Sequence, residues 1–197
     1  KKMKSMKDMF EEIYQTGVWV TKHDNPVSLS GPESFPDRAA PYLDFLTKFI
    51  RDNHIQSIVD YGCGDNGLYK GFDWGSTHYT GIDISPTAIS IAQKNNPNNT
   101  YICNDTLDLP DADMLICKDV LGHWSGHKST AEIGDQLSRI TEWLNKNYDK
   151  FSYIIIMDAH EGMIENYFPP HAVFETQFID LRKKRKKMYI KRSRQGN

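Results

Sequence analysis

Acidic, basic and small residues recur in this chain at the ends of short apolar runs, which is where a ligand site needs them. Asp60 stands just ahead of the turn Gly62-Cys63-Gly64-Asp65-Asn66-Gly67, and Asp83 closes the next apolar run. Asn104-Asp105 and Lys118-Asp119 end the two runs that follow, and Gly122-His123-Trp124 lies just beyond. Glycines at a sharp exit permit positive φ and let a ligand lie against bare backbone. A carboxylate before the turn suits ordering of the loop or receipt of an ammonium group. A carboxylate at Asp83 suits a ribose, whose two hydroxyls it can accept. Asn104-Asp105 suits an adenine edge. His123 offers a base whose ordinary pKa is near neutrality, and His160, close behind Asp158, offers a second. Two such ligands do not make a metal site, so no metal is expected. Trp19 and Trp124 read either as walls of an acceptor pocket or as core.

These residues must be carried by elements, and the sequence supplies them. Residues 5–15 have helical apolar spacing, and Pro41 opens a second helix over residues 41–53. Strands are expected over 57–61, 79–84, 100–103, 114–117 and 153–157, with helices over 86–94 and 131–146. Ser85 caps the first of these helices, with Pro86 behind it. The segment after the glycine turn makes a poor helix because Gly71, Asp73 and Gly75 interrupt it. Residues 173–181 and 188–191 flank a basic turn and read as an antiparallel hairpin. The fold class is therefore α/β: a doubly wound, mostly parallel seven-stranded sheet of Rossmann type that ends in that hairpin. Ligands of such sheets sit beyond the carboxyl ends of the strands.

Length and composition fit one domain. The chain has 197 residues, 39% hydrophobic and 25% charged, with a net charge of −2. We divide it into an N-terminal helix and lid-like segment (1–40), a core (41–160), and the hairpin with its basic segment (161–197). No apolar run is long enough to cross a bilayer, and none follows the N-terminal lysines as a secretory signal would. A cytoplasmic protein without membrane contact is expected. Cys63, Cys103 and Cys117 read as buried free thiols. Residues 182–194 hold nine Lys or Arg and no acid. That block reads as a solvated hairpin or tail, a contact for an acidic substrate or nucleic acid, or a nuclear signal.

Over residues 41–160 these motifs together resemble the class I S-adenosylmethionine-dependent methyltransferases. Asp60-Tyr61-Gly62-Cys63-Gly64 is similar to that family's first motif, and Gly81-Ile82-Asp83-Ile84-Ser85 to its second-strand acidic motif. Asn104-Asp105 falls at the adenine-side position, and residues 113–123 resemble the fourth-strand motif. The resemblance implies S-adenosylmethionine as cofactor, held by Asp60, Gly62, Cys63, Gly64, Asp83, Ile84, Asn104, Asp105 and Lys118. Lys118 or Asp119 would lie near the sulfonium, and His123, Asp119 and His160 are the candidate catalytic groups. Ser30-Gly31-Pro32-Glu33-Ser34 resembles a segment of a subgroup of small bacterial-type methyltransferases. One departure stands out: Asn66 occupies the place of the family's third glycine, and Asn tolerates left-handed backbone.

The sequence lacks the Asn or Asp followed by two prolines and an aromatic that enzymes acting on exocyclic base amines carry after strand four. It also lacks a target-recognition domain. A small-molecule or glycan acceptor, through O or N, is therefore favoured. The alternatives are an RNA- or protein-directed methyltransferase docking through the basic segment, and a non-catalytic cofactor-binding subunit. The oligomeric state is left open.

Overall fold

The computed structural model describes residues 5–24, 26–125, 130–158, 164–181 and 184–192. Helix α1 (Met6–Thr16) starts at a capping box in which Ser5 and Asp8 satisfy each other's backbone donors, and Gly17 ends it in left-handed backbone. Helix α2 (Ala40–Asp52) buries Tyr42, Leu46 and Phe49. Then come β1 (Ser57–Tyr61), β2 (His78–Asp83), α3 (Pro86–Asn95), β3 (Thr100–Cys103), β4 (Met114–Lys118), α4 (Thr130–Asn147), β5 (Tyr153–Asp158), β6 (Glu175–Leu181) and β7 (Lys184–Lys191). Their order in the sheet is β3-β2-β1-β4-β5-β7-β6. The first five strands run parallel, and β7 pairs antiparallel with both β5 and β6. This is the expected fold class, with strand order reversing between β1 and β4.

Two clusters of buried side chains cover the sheet. One holds Val59, Leu115, Trp143, Ile154 and Ile156, and the other holds Tyr42, Leu46, Ile58, Ile116 and Ile155. Adjacent residues of β1, β4 and β5 enter opposite clusters, so these strands are apolar throughout, as strands covered on both faces must be. Between β1 and β2 there is only a single 3₁₀ turn, Gly67–Tyr69. The space a helix would fill is packed instead by Tyr69, Phe72, Trp74 and Tyr79, whose rings lie 4.5–5.8 Å apart in adjoining pairs.

Two expectations need correction. Within the basic run, Lys184 to Lys187 belong to β7 rather than to a turn, with Lys186, Met188 and Ile190 buried; Arg182 and Lys183 lie outside the described residues. Cys103 is exposed rather than buried, because β3 is an edge strand; Cys63 is half-buried and only Cys117 is buried. Among the described residues no helix is long and apolar enough to cross a membrane.

Candidate active site

A cavity of about 360 Å³ opens beyond the carboxyl ends of β1, β2 and β4, at the point where strand order reverses. Asp60, Gly62, Cys63, Asp83, Ile84, Asn104, Asp105, Lys118, Asp119 and His123 all line it. Gly64 is the described site candidate that stands behind the wall rather than in it. His160 lies outside the described residues. Its neighbour Asp158 is buried, and one of its carboxylate oxygens accepts the Gly122 N–H (2.9 Å).

The turn after β1 is explained largely by the chain's own packing. Gly62 and Gly64 have φ of 77° and 58°, and a Cβ would run into Val120 at the first and into Ser30 and Tyr14 at the second. Asn66 adopts φ 53°, as its side chain allows, and also fastens the turn. Its Nδ2 donates to the Tyr79 hydroxyl (2.6 Å), while its Oδ1 accepts from Asn96 (2.6 Å) and Tyr101 (3.0 Å). Glycine is needed one residue later, where a Cβ on Gly67 would meet Ser28 and the Val27 carbonyl.

Asp65, which the sequence reading passed over, makes that close approach possible. Its buried carboxylate accepts from the hydroxyls of Ser28 (2.7 Å) and Ser30 (3.0 Å), from the Leu29 N–H and from Gly67 N–H (3.1 Å). Tyr14 adds a bond to Ser30 (2.9 Å). Helix α1 is tied down separately: Glu11 accepts from Ser85 (2.6 Å) and from the N–H (3.1 Å) and hydroxyl of Thr87, at the start of α3. The N-terminal segment thus covers the cavity and brings Met6, Phe10, Trp19 and residues 30–34 to its wall. Trp19 stacks on His123 with ring centroids 5.3 Å apart, and Phe10 meets both rings edge-on. Trp124, by contrast, is buried against Tyr61 and Trp143 and also lies under the Arg139 guanidinium. It is both core and wall.

Two buried carboxylates face the cavity from neighbouring strands. Asp83 accepts the N–H of Gly64 and of Ser85, one on each oxygen (both 2.9 Å), which leaves each oxygen a second lone pair. Asp60 accepts the Tyr79 hydroxyl on one oxygen (2.6 Å). Burial raises the Asp60 carboxyl to about 7, against the opposing pull of the Tyr79 bond and Lys118. Burial likewise raises Asp83 to about 6, opposed by its backbone donors. Asp119 differs. Its backbone is left-handed, and its carboxylate accepts Lys118 Nζ (2.6 Å) on one oxygen and Lys186 Nζ (2.5 Å) on the other. Burial opposes ionisation here too, but the two ammonium groups win and hold Asp119 far below the usual carboxylate range. Among the described residues, no three His, Cys, Asp or Glu side chains are grouped to hold a metal.

A family described as "Methyltransferase domain" matches residues 59–142, which carry β1 to β4 and the glycine turn. That stretch carries a methyltransferase domain, and the cofactor of class I methyltransferases is S-adenosylmethionine. In fold, the chain is similar to the magnesium protoporphyrin IX methyltransferase of Synechocystis PCC 6803, solved with bound S-adenosylmethionine (17% identity, 96% of this chain, 98% of that one, TM-score 0.62). It is also similar to a Thermoplasma acidophilum protein (14% identity, 98% and 100% of the two chains, TM-score 0.54). The bifunctional kinase-methyltransferase WbdD shares the fold as well (15% identity, 91% of this chain, 46% of that one, TM-score 0.56). Among curated protein sequences none matches the chain closely.

The residues present fit that cofactor. A nucleoside with a positively charged amino-acid tail offers hydroxyls for the open lone pairs of Asp83 and an ammonium for Asp60, whose buried carboxyl otherwise faces, among the described residues, the more distant Lys118.

Proposed function

We propose that the chain is a single domain that transfers a methyl group from S-adenosylmethionine to a small-molecule or glycan oxygen or nitrogen. The observation that carries this reading is one cavity with two chemically different ends. Buried carboxylates and glycine backbone form one end, and an aromatic and cationic wall under the N-terminal segment forms the other. In this reading Asp83 binds the ribose hydroxyls, Asp60 the ammonium, and Asn104-Asp105 with Ile84 the adenine. Gly62, Cys63 and Gly64 shape the methionine side. When bound, the cofactor supplies an electrophilic methyl on sulfur, and the transfer is an in-line displacement.

The protein's task is then to hold the acceptor in line and to take a proton where the acceptor carries one. His123 is the proposed base, kept at the acceptor end by its stacking on Trp19. His160 is the second candidate. Asp119, neutralised by two lysines, suits holding those cations rather than receiving a proton. Lys118 also donates to the Glu33 carbonyl (3.3 Å), joining the N-terminal cover to β4.

The RNA- or protein-docking reading would use the basic segment, of which Arg182, Lys183 and Arg194 lie outside the described residues. Lys184 pairs with Glu33, Arg185 with Asp180, Lys187 with Glu165 and Arg192 with Glu175, and Lys186 is buried. Lys186 is held inside the fold, whereas the pairs of Lys184, Arg185 and Arg192 lie at the surface, where ion pairs are weak. Thermal denaturation with S-adenosylmethionine, S-adenosylhomocysteine or NAD tests the cofactor, because a ligand of the native state raises its melting temperature. Stabilisation by the first two and not by NAD is expected, and a shift with NAD alone refutes the reading. Label from methyl-labelled cofactor should then reach small metabolites or glycans; labelling confined to RNA or protein would overturn the acceptor class.

A further inference from the structure

The cationic end of the cavity contains more ammonium donors than its own hydrogen bonds use. Lys186 leaves β7 with its side chain 1% exposed, and Lys118 leaves the end of β4 with its side chain 6% exposed. Both line the cavity. They share one carboxylate, Asp119, as their direct ion-pair partner, while Asp60 acts on Lys118 and Glu33 on Lys186 from farther away. An ammonium has three donors. Lys118 uses one on Asp119 and one on the Glu33 carbonyl, whereas Lys186 uses one, on Asp119. The other acids on this wall are engaged: Glu33 faces Lys184 at 3.9 Å, and Asp158 accepts the Gly122 N–H. Buried donors on a cation are costly to leave without acceptors.

We infer that this wall binds a carboxylate of the methyl acceptor, whose apolar, planar body lies against Phe10, Trp19 and His123. Two ammonium groups in direct contact with one carboxylate suit a monoanion better than a phosphate dianion. The aromatic wall reaches the same cavity from the N-terminal segment, so a flat acid touches rings with its body and ammonium groups with its head. This inference rests on the methyltransferase reading, because it names the acceptor for that site.

The test uses the whole chain saturated with S-adenosylhomocysteine and three matched probes: 1-naphthoate, 1-naphthamide and 1-naphthyl phosphate, with affinities measured by calorimetry. Naphthoate should bind about tenfold or more tighter than the amide, the scale of hydrogen bonds to charged groups. In Lys186→Met that preference should vanish while affinity for S-adenosylhomocysteine stays as it was. Equal affinity for acid and amide in the unsubstituted protein overturns the inference without any variant having to fold. A preference that survives Lys186→Met overturns the assigned position, and tighter binding of the phosphate overturns the choice of a monoanion. Failure of S-adenosylhomocysteine to bind the unsubstituted chain would instead sink the underlying reading.

Discussion

Replacing Asp60 by Asn removes a buried charge while keeping an oxygen to accept the Tyr79 hydroxyl, so it separates what the charge does from what the hydrogen bond does. Burial raises the folded carboxyl from 3.8 to about 7. Between those values the folded chain binds a proton that the unfolded chain has released, so stability falls as pH rises and levels off above the folded pKa. From about pH 5 to about pH 8 the folded pKa is crossed after roughly two units, which at about 1.4 kcal/mol per unit is about 2–3 kcal/mol. The Asn variant lacks this titration, and Asp83, which interacts with Asp60, still titrates in both proteins and changes the difference only in second order. Urea unfolding of the ligand-free proteins should therefore show the variant gaining about 2 kcal/mol on the parent over that interval. Affinity for S-adenosylmethionine at the higher pH should move the opposite way, weakening by about 1–3 kcal/mol. A stability gap that is the same at both pH values would refute the reasoning, because it would mean that no proton is taken up on folding at this site.

Three further outcomes are expected. Asp83→Ala should weaken the cofactor by about 1–3 kcal/mol in calorimetry, and an unchanged affinity in a folded variant rules out the ribose assignment. His123→Ala should lower turnover with little change in S-adenosylhomocysteine affinity; turnover unaltered across pH would remove His123 as the base. Asp65→Ala strands buried donors from Ser28, Leu29 and Gly67, so a loss of about 1–3 kcal/mol is expected together with faster proteolysis near residues 20–30. Protease resistance equal to that of the parent would show that Asp65 does not hold the cover down.

The parallel strands and the residues at their ends were legible because their signals are local. Ile58, Val59, Ile116, Ile155 and Ile156 announce strands buried on both faces, and each chemical residue sits one or two positions past such a run. What escaped depends on partners far along the chain. Asp65 reads as one more polar turn residue, and only folding brings Ser28 and Ser30 onto it. In β7 the alternation of Lys186, Met188 and Ile190 was present in the sequence, but six consecutive cations, residues 182–187, masked it and suggested a turn. Lys186 can be buried only because Asp119 meets it. The exposure of Cys103 follows from strand order, which local pattern does not encode.

The clasp of Asp65 on Ser28, Leu29 and Ser30 has a consequence for how such a chain can diversify. A single carboxylate is shared between the turn after β1 and the N-terminal roof over the cavity, so the two are mechanically one part. New acceptors can be accommodated by varying Phe10 or Trp19, which project from that roof, while the two serines stay as its hinge pins. Shuffling the roof as a module, or clipping it off to obtain a minimal catalytic core, would instead leave the turn without its brace.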